Sequence, residues 1–116
     1  MEFKLILVIV NPDRTEAVLR ASLAAGATGA TVLGNARGVG LAPSVKLWGL
    51  ELFSTRDMVM ILVDATRADR VLDAALSSGR LDESLGTGIA LQLSVDKAVG
   101  LTEHLKLVAR EHPAAD

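Results

Sequence analysis

The sequence predicts a single α+β domain, residues 1–116, built from two strand–helix–strand units in tandem. Three observations carry this prediction. The first is a pair of apolar, β-branched runs of strand length, Lys4–Val10 and Met58–Val63. The second is an apolar stripe of helical spacing at Ala68, Val71, Leu72, Ala75 and Leu76. The third is an internal repeat. Val8–Gly26 aligns without gaps on Ile61–Gly79, and seven of nineteen positions are identical: Val10/Val63, Arg14/Arg67, Val18/Val71, Leu19/Leu72, Ala21/Ala74, Leu23/Leu76 and Gly26/Gly79. After a longer loop in the second copy, Thr28-Gly29 matches Thr87-Gly88.

Two such units make a βαββαβ order, the ferredoxin-like sandwich. Lys4–Val10 is the first buried strand. Asn11 can cap the helix that follows, with Pro12 at its first position, where a missing N–H costs nothing. That helix runs to about Ala25 and stops at Gly26. Ala30–Leu33 reads as the second strand. Gly34–Arg56 contains Gly34, Gly38, Gly40, Gly49 and Pro43, and reads as a loop or an extended hairpin. Met58–Val63 is the third strand, and Asp64 or Thr66 caps a second helix ending near Ser78. Arg67, Asp69, Arg70 and Asp73 fall on the side of that helix away from its apolar stripe. A polar loop over Arg80–Ser84 leads to the fourth strand, Ile89–Val95. The tail 102–116 allows either a short helix capped by Thr102 or a strand, since Leu105, Leu107 and Ala109 alternate. In this fold the helices cover one face of the sheet. The other face is also apolar, and a symmetric oligomer is its simplest cover.

Composition narrows the function. The net charge is −2, which argues against a nucleic-acid polymer as partner. Cysteine is absent, which excludes disulfides, thiol catalysis and a cysteine-pair metallochaperone. The run Leu5–Val10 is six residues, too short to span a bilayer, and the chain reads as cytoplasmic. The three aromatic residues are Phe3, Trp48 and Phe53, so the central strands lack the stacking residues of a ferredoxin-like RNA-binding module.

Few residues suggest chemistry. Arg14 and Asn11 sit where a phosphatase of this fold would place an arginine and an amide, but Arg14 recurs as Arg67 in the repeat and reads as a solvated helix-face residue. Asp82 and Glu83 lie in a polar loop with no apolar wall to raise a pKa. His104 and His112 imply no ligand pair, so neither a catalytic nor a metal site is expected. Gly38-Val39-Gly40 and Gly86-Thr87-Gly88-Ile89 can be read as a cradle of N–H groups for an anion or as two ordinary turns, and spacing alone favours turns.

Taken together, several stretches resemble the PII signal-transduction family. They are Val8-Ile-Val-Asn-Pro12, Gly26-Ala-Thr-Gly-Ala-Thr-Val32, Arg37-Gly-Val-Gly40, Gly86-Thr-Gly-Ile-Ala90 and Val95-Asp-Lys-Ala-Val-Gly-Leu101. The pattern is most similar to a divergent branch of that family rather than to its nitrogen-regulating members. The resemblance implies a non-enzymatic regulator: a homotrimer that binds an effector in clefts between subunits and acts on a transporter or enzyme through a long loop. Carried over, segment 38–57 is that T-loop and 80–88 the B-loop. Ile9, Thr31, Gly38, Gly40, Arg56, Gly86, Thr87, Gly88 and Ile89 would line the cleft. Lys46, Trp48 and Phe53 would meet the partner, although Trp48 and Phe53 can equally pack back on the core.

The departures from the family pattern are chemical. The T-loop is shorter and has no tyrosine to be uridylylated. The glutamine that helps hold 2-oxoglutarate is absent, since Leu41-Ala42-Pro43 follows Gly40. Ile89 replaces the B-loop lysine, and Gly100 and Thr102 stand where two arginines hold ATP phosphates; Arg56 is a candidate to replace one lost lysine. Each lost charged hydrogen bond removes roughly 1.5–3 kcal/mol. The expected effector is therefore AMP, ADP or a small anion rather than ATP. The alternative is a structural or adaptor trimer that has lost effector binding.

Overall fold

The computed structural model describes residues 2–37, 55–81 and 88–101. In chain order these form β1 (Phe3–Val10), a 3-10 turn (Pro12–Arg14), α1 (Thr15–Ala24), β2 (Thr31–Arg37), β3 (Thr55–Asp64), α2 (Ala65–Gly79) and β4 (Gly88–Ser94). The sheet order is β2-β3-β1-β4, and every neighbouring pair is antiparallel. This is the βαββαβ arrangement that the repeat predicts.

Strand alternation sorts the sheet into two faces. One face packs on the helices. Ile6, Val8 and Val10 of β1 and Val59, Ile61 and Val63 of β3 join Val18 of α1 and Ala68, Val71 and Ala75 of α2 in one buried cluster. Burying each such Val or Ile side chain contributes about 1.5–3 kcal/mol, so this cluster is the main source of stability. The opposite face is apolar as well. Register places Leu5, Leu62 and Leu93 in one row, Leu7, Met60 and Leu91 in a second, and Ile9, Met58 and Ile89 in a third. Leu91 and Leu93 are 44% and 41% exposed, and Leu33, beside Met58, is 50% exposed.

Several boundaries differ from the sequence reading, for local reasons. Asn11 makes no side-chain cap, and Pro12 opens a 3-10 turn before α1 begins. Asp64, not Thr66, caps α2 by accepting from the Thr66 N–H at 3.1 Å. α2 runs one residue past the expected Ser78, to Gly79, and Arg80 takes the left-handed conformation at φ 55°. Space explains Gly79, because a β-carbon there would stand 3.1 Å from Leu81 and 3.4 Å from Val18. Leu81 is buried, so the segment after α2 is not wholly polar. The expected loop 34–56 is an extended hairpin at its base, with β2 running on to Arg37 and β3 starting at Thr55. A bulge at Gly34-Asn35 lets the strand absorb two residues that disfavour strands. The two alternatives for the tail 102–116 lie outside the described residues.

Candidate functional site

Of the expected cleft residues that the structure describes, Ile9, Arg56, Gly88 and Ile89 lie toward one end of the sheet, and Thr31 stands apart from them. At that end β1 finishes, β4 begins, and Ile9 pairs with Ile89 while Val10 pairs with Gly88. Ile9 and Ile89 are half-buried and share the outer apolar face with Met58. Gly88 has φ +136°, and a β-carbon on it would overlap the carbonyl oxygen of Ile9 and stand 3.0 Å from Leu81. Glycine is thus required at position 88 by backbone packing alone. Arg56 is buried near the start of β3 and donates from Nη1 to the carbonyl oxygen of Thr55 at 2.9 Å. Thr31 is exposed on β2, which is the opposite edge of the sheet from β4. Three strand spacings separate those edges, roughly 14 Å. One chain therefore does not bring Thr31 to Gly88. Gly38, Gly40, Gly86 and Thr87 of the expected cleft, and Lys46, Trp48 and Phe53 of the expected partner loop, lie outside the described residues, as do Asp82, Glu83, His104 and His112.

Beside Gly88 lies a cleft of about 300 Å³ between α2 and β4, lined by Leu72, Asp73, Leu76, Leu81, Ile89 and Ala90. Its walls are apolar and its one ionisable lining residue among those described is an acid, Asp73. Leu72 and Leu76 belong to the apolar stripe of the second helix that the sequence predicts. Their place at the end of the helical stripe, next to the edge strand, is the signal that leaves Leu76 38% exposed.

Arg14 is not a solvated helix-face residue, and Arg67 does not lie on the solvent side of α2. Arg14 donates from Nε and Nη2 to the carbonyl oxygen of Ser78, at 3.1 and 2.5 Å, in the last turn of α2. Arg67 is buried, forms an ion pair with Asp64, and lies against Gly26 just past the end of α1. Each helix thus sends a cation from its start to the carbonyl end of the other, where the helix dipole favours it. That use of Arg14 removes the arginine on which a phosphatase reading depends. Burial alone would raise the Asp64 carboxyl, but hydrogen bonds from Thr66 and the Arg67 guanidinium outweigh it and hold the group below its ordinary value. Among the described residues no three His, Asp or Glu side chains gather as metal ligands. No described helix is long and apolar enough to cross a membrane.

The fold and its sheet-end cleft can be compared with known proteins. Residues 3–104 match the family model of the nitrogen regulatory protein P-II. The chain belongs to the PII family. Among solved structures, the crystal structure of Arabidopsis thaliana PII bound to citrate is similar, with a TM-score of 0.61 and 24% identity over 81% of this chain and 78% of that one. That likeness concerns the fold. No curated protein matches the chain. PII proteins are regulatory signalling proteins, and membership carries that general role to this chain.

Proposed function

We propose that the chain is a non-enzymatic, cytoplasmic PII-like regulator that forms a homotrimer, binds a small effector between subunits, and acts on a transporter or enzyme through segment 38–57. The observation that carries this reading is the family match, which runs from β1 through β4 and beyond. The geometry supports the trimer in two ways. Three apolar rows cover the outer sheet face, with Leu33, Leu91 and Leu93 left exposed. Thr31 and Gly88 stand on opposite edges, so a cleft containing both needs two subunits. Burial of the outer face against two further copies would supply about 25 cal/mol per Å² of apolar surface.

The effector is AMP, ADP or a small anion. A triphosphate needs several charged partners. Of the nine expected cleft residues only Arg56 is cationic, and its Nη1 already serves the Thr55 carbonyl. The adaptor reading has one observation in its favour: Gly88 is explained by the Ile9 carbonyl without any ligand.

A thermal-shift panel of ATP, ADP, AMP, cyclic AMP, 2-oxoglutarate and bicarbonate separates the two readings. A native-state ligand at a hundredfold excess over Kd stabilises by about 2.7 kcal/mol, or several degrees for a domain of this size. The expected result is a shift with AMP or ADP exceeding that with ATP, abolished by Gly86→Val. Gly88 is unsuitable for that control, because any side chain there disturbs β1 itself. No shift with any compound favours the adaptor. Light scattering of the purified chain at a mass three times 12.2 kDa is expected in either case.

A further inference from the structure

A joint stands at the root of segment 38–54. The chain leaves the sheet after Arg37 and re-enters at Thr55. Just inside those points β2 is irregular. Leu33 pairs with Met58 and Ala36 with Arg56, so Gly34 and Asn35 together oppose the single residue Asp57. Asn35 has φ 62°, a left-handed conformation that asparagine tolerates better than most residues. A bulge of this kind bends the strand and increases its twist. Its geometry therefore sets the direction of the two residue pairs beyond it, Ala36–Arg56 and Arg37–Thr55.

Asp57 connects this bulge to the rest of the domain. Its Oδ2 accepts a hydrogen bond of 2.7 Å from Oγ1 of Thr15, the first residue of α1, and Thr15 is buried. Its Oδ1 faces the bulge, 3.6 Å from where a β-carbon on Gly34 would stand. On its other flank Asp57 pairs with Val10, whose second neighbour is Gly88. One carboxylate thus touches the start of α1, abuts the bulge, and lies two strands from the β4 edge of the candidate cleft. A hydroxyl-to-carboxylate bond is charge-assisted and directional, so it can hold the bulge at one angle to α1. The alternating strand pattern gives no other reason for an acid at position 57, because Asp57 falls on the same face as Val59 and Ile61.

We propose that the Thr15–Asp57 bond is a positioning latch. It fixes the angle at which segment 38–54 leaves the sheet. Thr15 and Asp57 are positioning residues, and neither belongs to the candidate effector cleft.

The test uses the full chain without ligand. Trp48 is the only tryptophan and lies within the segment, and Lys46 is the only tryptic site between residues 38 and 54. Thr15→Val removes the donor while keeping the branched shape, and Thr15→Ser keeps the hydroxyl. The expected result for T15V is a displaced Trp48 emission maximum and a severalfold change in the rate of tryptic cleavage after Lys46. T15S should behave as the parent chain does. Parental emission and cleavage in a folded T15V overturn the proposal, and so does a T15S variant that behaves as T15V does. If T15V does not fold, Asp57→Asn is read by the same two signals, and parental values overturn the proposal again. Because both signals are taken without ligand, a failed ligand panel and a failed latch are separate results.

Discussion

The two βαβ units start their helices differently, although the repeat gives them the same skeleton. In the second unit Asp64 caps α2, holds Arg67 in an ion pair and lies buried with it. In the first unit Asn11 occupies the matching position, makes no side-chain cap, and is followed by a 3-10 turn. Arg14 and Arg67 still perform one task, each reaching the end of the other helix. The anchorage differs. Arg67 is tied to an acid at its own helix start and packs over Gly26, whereas Arg14 donates to the Ser78 carbonyl. Sequence identity at a repeat position thus conserves the contact, while the neighbouring capping residue decides how much energy depends on it.

The largest effect expected from this difference is at Arg67. Arg67→Ala leaves Asp64 buried without its guanidinium and opens space beside Gly26. Breaking one side of a buried pair costs about 3–5 kcal/mol, and the position at a helix start places this one near the lower end. Urea unfolding of Arg67→Ala and Arg14→Ala side by side should show the Arg67 variant losing at least twice as much. Equal losses would break the comparison.

The contrast was half legible in the sequence. The period of the apolar residues gave both helices and the strands β1 and β3, because alternation and helical stripes report burial directly. The recurrence of Arg14 as Arg67, and of Gly26 as Gly79, was visible too. It did not reveal the reciprocal contacts, because these depend on the crossing of two helices 53 residues apart in the repeat. Arg67 looks solvated in sequence because it stands among Asp69, Arg70 and Asp73, while its packing against Gly26 past the end of α1 joins residues far apart in the chain. The extension of β2 past Leu33 was hidden by Gly34 and Asn35, which read as loop residues until a bulge accommodates them. At the candidate site the resemblance named Ile9, Thr31 and Gly88. Only the strand order shows that Thr31 stands apart from the other two.

A middle-sized effect is expected with pH. The Asp64 carboxyl titrates below its unfolded value, so its contribution is complete above the ordinary carboxylate pKa of about 3.9 and is lost as the pH falls through the lower folded value. Asp64→Asn keeps a good capping residue but loses the charge that pairs with Arg67, and should cost about 2 kcal/mol at pH 7. The gap between this variant and the parent chain, read from urea midpoints, should narrow between pH 4 and lower pH. Asn11→Asp has no acidic pair to disturb in the parent chain and serves as the matched substitution in the first unit. A gap at Asp64 that stays constant into acid would mean that the carboxylate charge contributes nothing to α2.

The smallest effect is expected at Arg14. Its two hydrogen bonds converge on one carbonyl oxygen at the end of α2, and the side chain is only part-buried. Water can replace much of what Arg14→Ala removes, so the loss should be about 1 kcal/mol. Lysine sharpens the reading, because it keeps the charge near the α2 carbonyls but loses the two-nitrogen fork. If the dipole contact is what counts, Arg14→Lys should recover most of the loss, and added salt should then weaken the parent and lysine chains alike. If the fork is what counts, Arg14→Lys should behave as alanine does. The same exchange at Arg67 should not recover stability, because a lysine there must satisfy Asp64 in a buried site shaped over Gly26 by the arginine stem. A lysine tolerated at Arg14 and rejected at Arg67 would show that the repeat has kept one contact in two energetic forms.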